Sequence, residues 1–166
     1  MSESKTPPRH IDPEILQGLG EFVVVWGLLE NLVQDLFIAT VEGKAGPMMV
    51  VTKAISASTI SNWIRTTIGF RQTQPDFERA ALEFLNDYDE LRAERNSLIH
   101  GLWVTDASGP GTVLVHTIRL DRRPPVVGRI VTAGDLRELI QETLVVAERL
   151  RRLMDTHNIP HRDSLS

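Results

Sequence analysis

The sequence predicts a mainly α fold, an antiparallel helical bundle with a small antiparallel β-hairpin or meander inserted before the last helix. Three observations predict it. Apolar residues recur at spacings of three and four along long windows, prolines and capping residues mark where those windows begin, and residues 102–131 switch to short β-branched runs separated by turn residues. A length of 166 residues with 42% hydrophobic content suits one domain, able to bury a core without disulfides or metals.

Residues 1–11 are polar and expected to be disordered, and the domain is expected over residues 12–158. Asp12-Pro13-Glu14 supplies an N-cap, an N1 proline and an acidic first turn for a helix running to about Val41. Along it Leu19, Phe22, Trp26, Leu29, Val33 and Leu36 form an apolar stripe, while Gly18, Gly20 and Gly27 weaken the helix or admit a close neighbour. Glu42 to Pro47 reads as a loop, followed by shorter helices over Met48 to Ala57 and Thr59 to Gly69, the second capped by Ser58. Pro75-Asp76 opens a long helix in which Phe77, Ala81, Phe84, Tyr88, Leu91, Arg95, Leu98 and Leu102 share one row. Arg95 stands in that row among apolar residues.

Gly101 is placed to break the long helix. Leu102 to Thr105, Thr112 to Leu120 and Val126 to Val131 then read as strands of the β insertion, about residues 102–131, separated by Ser108-Gly109-Pro110-Gly111 and Arg122-Arg123-Pro124-Pro125. Thr132-Ala133-Gly134-Asp135 is a capping-box variant, with Asp in place of Glu, for a last helix to about His157. A flexible tail is expected over 159–166.

Composition excludes several function classes. The chain has no cysteine, which removes disulfides, thiolate catalysis and Cys-based zinc sites. The longest apolar run, Phe22 to Leu29, ends at Glu30 and is too short to cross a bilayer, and no signal-type segment follows Met1 to Arg9, so a soluble cytoplasmic protein is expected, with no membrane partner. No lysine-bearing phosphate loop, serine nucleophile elbow or zinc-protease helix is present. The net charge of −4 disfavours a general nucleic-acid coat but allows a local positive cleft.

The informative segment is Glu94-Arg95-Asn96-Ser97-Leu98-Ile99-His100-Gly101. It gathers an arginine, an amide and an imidazole, the side-chain types that metal-free cleavage of an RNA phosphodiester needs. At about 100° per residue, Asn96 and His100 share a helix face with Arg92 one turn earlier, whereas Arg95 points roughly 140° from His100. A shared site therefore requires Arg95 to curve, or a second copy of the helix packed across a two-fold axis.

Here the sequence resembles the HEPN superfamily, the higher-eukaryote and prokaryote nucleotide-binding domains, many of which are ribonucleases of toxin and antiviral systems. The resemblance rests on Arg95-Asn96-Ser97-Leu98-Ile99-His100, which matches the family's Arg, four residues, His motif with its polar second position, and on the helical pattern of residues 12–157. It implies a HEPN-like bundle and a metal-independent endoribonuclease, with no cofactor, leaving a 2′,3′-cyclic phosphate. His100 would be the general acid or base, Arg95 would stabilise the phosphate charge, and Asn96 would orient the phosphate or the imidazole. It also implies a homodimer through the motif-bearing helix, RNA as substrate, and an antitoxin or regulatory protein as a further partner. Toxins of this superfamily paired with nucleotidyltransferase antitoxins carry a tyrosine two residues after the histidine; Leu102 stands there, which argues against control by modification of that residue. The alternatives are a catalytically silent module binding RNA, nucleotide or a protein partner, and a structural helical dimer in which Arg95 and His100 only cap or pair at a helix end.

Other residues carry weaker signals. Glu30 lies among Trp26, Val33 and Phe37, where Arg92, Arg95 or His100 would meet its charge and Glu30 would support the site; an exposed margin of the stripe is the other reading. Arg119, Arg122, Arg123 and Arg129 make the insertion basic and suited to RNA phosphates, or simply solvated. Trp26, Trp63 and Trp103 fit core or interface roles better than base stacking, and His116 and His157 lack partners at metal-ligand spacing.

Overall fold

Asp12 begins the order. Its side chain accepts a hydrogen bond from the Glu14 N–H at 2.9 Å, and Pro13 at N1 has no N–H to satisfy. The computed structural model describes residues 11–43, 45–70, 74–105, 111–118 and 126–160. Their elements are α1 (Pro13–Thr40), α2 (Ala45–Ala54), α3 (Ala57–Phe70), α4 (Pro75–Ile99), β1 (Leu102–Thr105), β2 (Thr112–Ile118), β3 (Val126–Thr132) and α5 (Ala133–Thr156). The fold is mainly helical with a small antiparallel sheet.

The stripe of α1 is buried from Phe22 to Leu36, with Leu19 at its margin, and it packs against α5 and α3 while α4 lies against both. Tyr88, Phe84, Leu85 and Leu98 of α4 and Leu136 and Leu150 of α5 complete the core. Burying each such side chain removes apolar area from water and contributes about 1.5–3 kcal/mol before entropy is counted. The helix that carries the Phe22 to Leu29 run is 28 residues long with mean hydropathy 1.6 over its most apolar window, so its length and composition match a membrane span. Half of that window is buried inside the protein, as in a core helix.

The sheet is a meander in the order β1-β2-β3, with Leu102 opposite His116, Val104 opposite Leu114, and Val113 opposite Val131. Alternation turns Val113, Val115 and Val131 into the core, which fixes the register. Thr132 ends β3 and caps α5: its hydroxyl accepts from the Asp135 N–H at 3.2 Å while the Asp135 carboxylate accepts from the Thr132 N–H at 2.7 Å.

Some boundaries differ from the sequence reading. α2 begins at Ala45 rather than Met48, because Pro47 falls in its first turn, where a missing N–H leaves no bond unmade. The cap of α3 is Ser56 rather than Ser58: the Ser56 hydroxyl accepts from the Thr59 N–H at 3.2 Å, and its carbonyl accepts from the Ile60 N–H at 3.0 Å. Ile11 and Ile159, assigned to the expected disordered start and tail, pack partly against the core. Residues 1–10 and 161–166 of those two segments, residues 119–120 of the expected second strand, and most residues of both turns lie outside the described residues.

Candidate functional site

α4 ends at Ile99, and His100 is its C-cap, with φ −105° and its N–H donated to the Asn96 carbonyl at 3.1 Å. The chain then turns directly into β1. Gly101 permits this, since a Cβ there would lie 2.5 Å from the Ser97 carbonyl oxygen and closer still to the Val115 side chain. The indole N–H of Trp103 donates to the Leu98 carbonyl at 2.7 Å, satisfying one of the acceptors that a helix end leaves open. His100 is thereby held at the corner between helix and sheet, with its side chain exposed.

Arg95 curves toward it. Its Nη1 lies 3.2 Å from Asn96 Oδ1 and 3.4 Å from His100 Nε2, so the motif's three polar side chains meet within a single chain. A guanidinium only donates, so in this contact Nε2 can serve only as the acceptor. At 3.4 Å the contact is longer than a strong hydrogen bond, and Arg95 is an adjacent charge more than a fixed partner.

Two turns before Arg95 on α4 lies Tyr88, fully buried, its ring stacked on Trp26 at 5.5 Å and packed on Phe84 at 6.1 Å. Burial pushes its phenol well above the ordinary tyrosine range; Glu30 and Asp89 add to the rise, and Arg92 and Arg95 oppose it. Tyr88 is therefore neutral. Glu30 is half-buried beside it and makes no ion pair with Arg92, Arg95 or His100 among the described residues. Its charge acts on the same phenol as those of Arg92 and Arg95. The indole N–H of Trp26 is buried there with no hydrogen-bond partner among the described residues.

The two flanks of α4 differ in charge. On the flank facing α3, Asp89, Arg92 and Asn96 follow one another at helical spacing. The Asp89 carboxylate accepts from Arg65 Nη1 at 2.8 Å, from Arg92 Nε at 3.2 Å and from the buried Ser61 hydroxyl at 3.2 Å, and Arg65 Nη2 also donates to Asn86 Oδ1 at 3.1 Å. On the flank facing α5, Asp87, Glu90 and Glu94 of α4 face Glu138 and Glu142 across a groove of about 790 Å³ floored by Leu91, Val145 and Val146. Arg149 pairs with Asp87 there, and Arg129 pairs with Glu94. That negative groove repels a polyanion.

Arg129, read as suited to RNA phosphates or simply solvated, pairs with Glu94, because β3 passes beside the α4–α5 seam. Arg119, Arg122 and Arg123 lie outside the described residues. Arg92, expected as a support, is committed through Nε to Asp89. Trp26 is in the core, Trp63 is half-exposed against Phe37, and the His157 ring packs edge-on to Phe77 at 5.0 Å. Among the described residues no group of three histidine or carboxylate side chains gathers as a metal site. Sequence reasoning missed Arg65, Ser61 and Asp89. The Asp89 to Arg92 spacing was a visible signal, but nothing local links Arg65 to either.

Comparison with known proteins returns no match among family models, curated proteins or solved structures.

Proposed function

We propose that this chain is a metal-independent endoribonuclease of HEPN type. The observation that supports the reading is the approach of Arg95 to His100 Nε2 at the exposed end of α4. A scissile phosphate entering the site draws the Arg95 guanidinium onto its oxygens, because a bidentate phosphate contact is stronger than the long contact to the ring. That frees the Nε2 lone pair. His100 then takes the proton of the ribose 2′-hydroxyl, the 2′-oxygen attacks phosphorus, and the 5′-oxygen leaves with a proton, giving a 2′,3′-cyclic phosphate. Asn96 holds the arginine in place through its Oδ1.

One chain offers one imidazole at this site, whereas the reaction needs a base and an acid. A second copy, packed through the end of α4, supplies the other imidazole, so the working form is a homodimer. In this reading the protein serves in the cytoplasm as a toxin or antiviral effector, held silent by a regulatory protein.

The test is incubation of purified protein with mixed RNAs in EDTA, with His100→Ala and Arg95→Ala alongside and folding monitored by circular dichroism. Wild type is expected to cleave, and each variant to lose about 10²- to 10⁴-fold in rate, the range of positioned acid–base groups. Equal cleavage by His100→Ala overturns the assignment, and RNA binding without cleavage by wild type favours the silent module.

A further inference from the structure

The Arg65–Asp89–Arg92 junction is more than a tie between α3 and α4. A tie needs one cation for each carboxylate, whereas here one carboxylate holds two guanidiniums from two helices. With Arg95 beyond them, three guanidiniums stand against the carboxylates of Asp89 and Glu30, leaving one positive charge in excess on this side of a chain whose net charge is −4. The mutual repulsion of the two guanidiniums is only partly offset by one carboxylate, so a second anion placed between them would be attracted to both.

The donors are available and oriented. A guanidinium has five N–H groups, and among the described residues Arg92 uses only its Nε. Its two terminal nitrogens, a fork suited to phosphate oxygens, make no bond there. The side chains of Arg65, Arg92 and Asp89 are 27%, 26% and 28% exposed: immobilised by the junction, yet open to solvent. Arg92 precedes His100 by eight residues, about 12 Å along the helix axis. That spans a few stacked nucleotides at about 3.4 Å each. The opposite flank of α4 is acidic, so a strand leaving the Arg95–His100 corner is directed along this one.

We propose that Arg65 and Arg92, bridged by Asp89, form a phosphate-binding subsite that holds the backbone of a single-stranded RNA beside the Arg95–His100 corner. The subsite rests on the reading of the chain as an RNA-cleaving protein. It reads backbone charge, so its contribution is independent of base sequence.

The experiment measures anisotropy of a labelled single-stranded RNA over a salt series, in a His100→Ala background so that the RNA stays intact. Adding Arg65→Gln is expected to weaken binding about tenfold at low salt, equally for different sequences, and to reduce the slope of log affinity against log salt by about 0.7, the value of one single-strand phosphate contact. Arg65→Lys keeps the charge and is expected to restore the slope. Ser61→Ala loosens the same junction without removing a charge, and is expected to lower the unfolding temperature while leaving the slope unchanged. If the His100→Ala parent binds RNA and Arg65→Gln binds with the parent's slope, the subsite is refuted and the nuclease reading stands. If no form binds RNA even at low salt, the nuclease reading fails and the subsite with it.

Discussion

Two glycine substitutions should change stability in opposite directions, and the structure alone sets the signs. At Gly101 an added methyl meets two obstacles, the Ser97 carbonyl oxygen at 2.5 Å and the side chain of Val115, which is fully buried. The first is backbone in the last turn of α4, and the second is locked between β1 and β3; neither moves without shifting an element. Overpacking of this kind costs about 1–3 kcal/mol, and with two rigid neighbours Gly101→Ala should sit near the upper end. For a domain of this size, about 3 kcal/mol lowers the unfolding temperature by roughly 6–12 °C. Gly20 lies exposed within α1 with nothing inside 4 Å of an added Cβ, so Gly20→Ala should gain the helix propensity difference of about 0.5–1 kcal/mol and raise the unfolding temperature by roughly 1–4 °C. Thermal unfolding followed by far-ultraviolet circular dichroism reads both. A Gly101→Ala protein that melts within a degree of wild type would refute the close-packed corner. If the proposed nuclease reading holds, RNA cleavage in Gly101→Ala should fall together with stability, because a shift of the α4 end would carry His100 away from Arg95.

Asp89→Asn removes the anion between Arg65 and Arg92 and should cost about 1–3 kcal/mol, read as a lower unfolding temperature, while RNA affinity at low salt stays level or rises because local positive charge increases. A parallel loss of affinity would count against phosphate binding on this flank. Tyr88 is the chain's one tyrosine, so phenolate absorbance reports on it alone. Its folded-state pKa is raised above the ordinary value of 10.0, so the folded state keeps its proton where the unfolded state loses it. The stability Tyr88 contributes is full below pH 10.0 and declines above it by about 1.4 kcal/mol per pH unit. Phenolate should therefore appear only together with unfolding in an alkaline titration, and Tyr88→Phe should flatten the decline; phenolate forming in the folded protein near the ordinary value would contradict the burial.

Much of the helical plan was legible because it is written locally. The α1 cap at Asp12 and the Thr132 to Asp135 box use side chains within four residues of the backbone groups they satisfy, and Pro75 starts α4 without any side-chain cap, at a position where a helix leaves the N–H unpaired. The α3 start was misread because Ser56 and Ser58 are equally good caps in isolation, and only the structure shows that Ser56 takes the Thr59 N–H. The motif segment was visible as chemistry, and its divergence on an ideal helix was visible as geometry. Helical projection did not show that His100 would leave the helix as its cap, which brings the imidazole within 3.4 Å of a curved Arg95.

Periodicity, capping and turn residues, all properties of neighbours in sequence, were enough to set the helices, the three short strands and the polar end of α4. Pairings across the fold were not available to them. Arg65 finds Asp89 across the α3–α4 seam, Arg129 of β3 pairs with Glu94 of α4, and Tyr88 is buried in a stack on Trp26 within the electrostatic reach of Arg95. Each depends on which elements pack together, and packing is decided by apolar surface buried over the whole domain. Charge segregation on α4 follows from the same cause: its flanks carry their residues in the sequence, but only their neighbours on α3 and α5 make one basic and the other acidic.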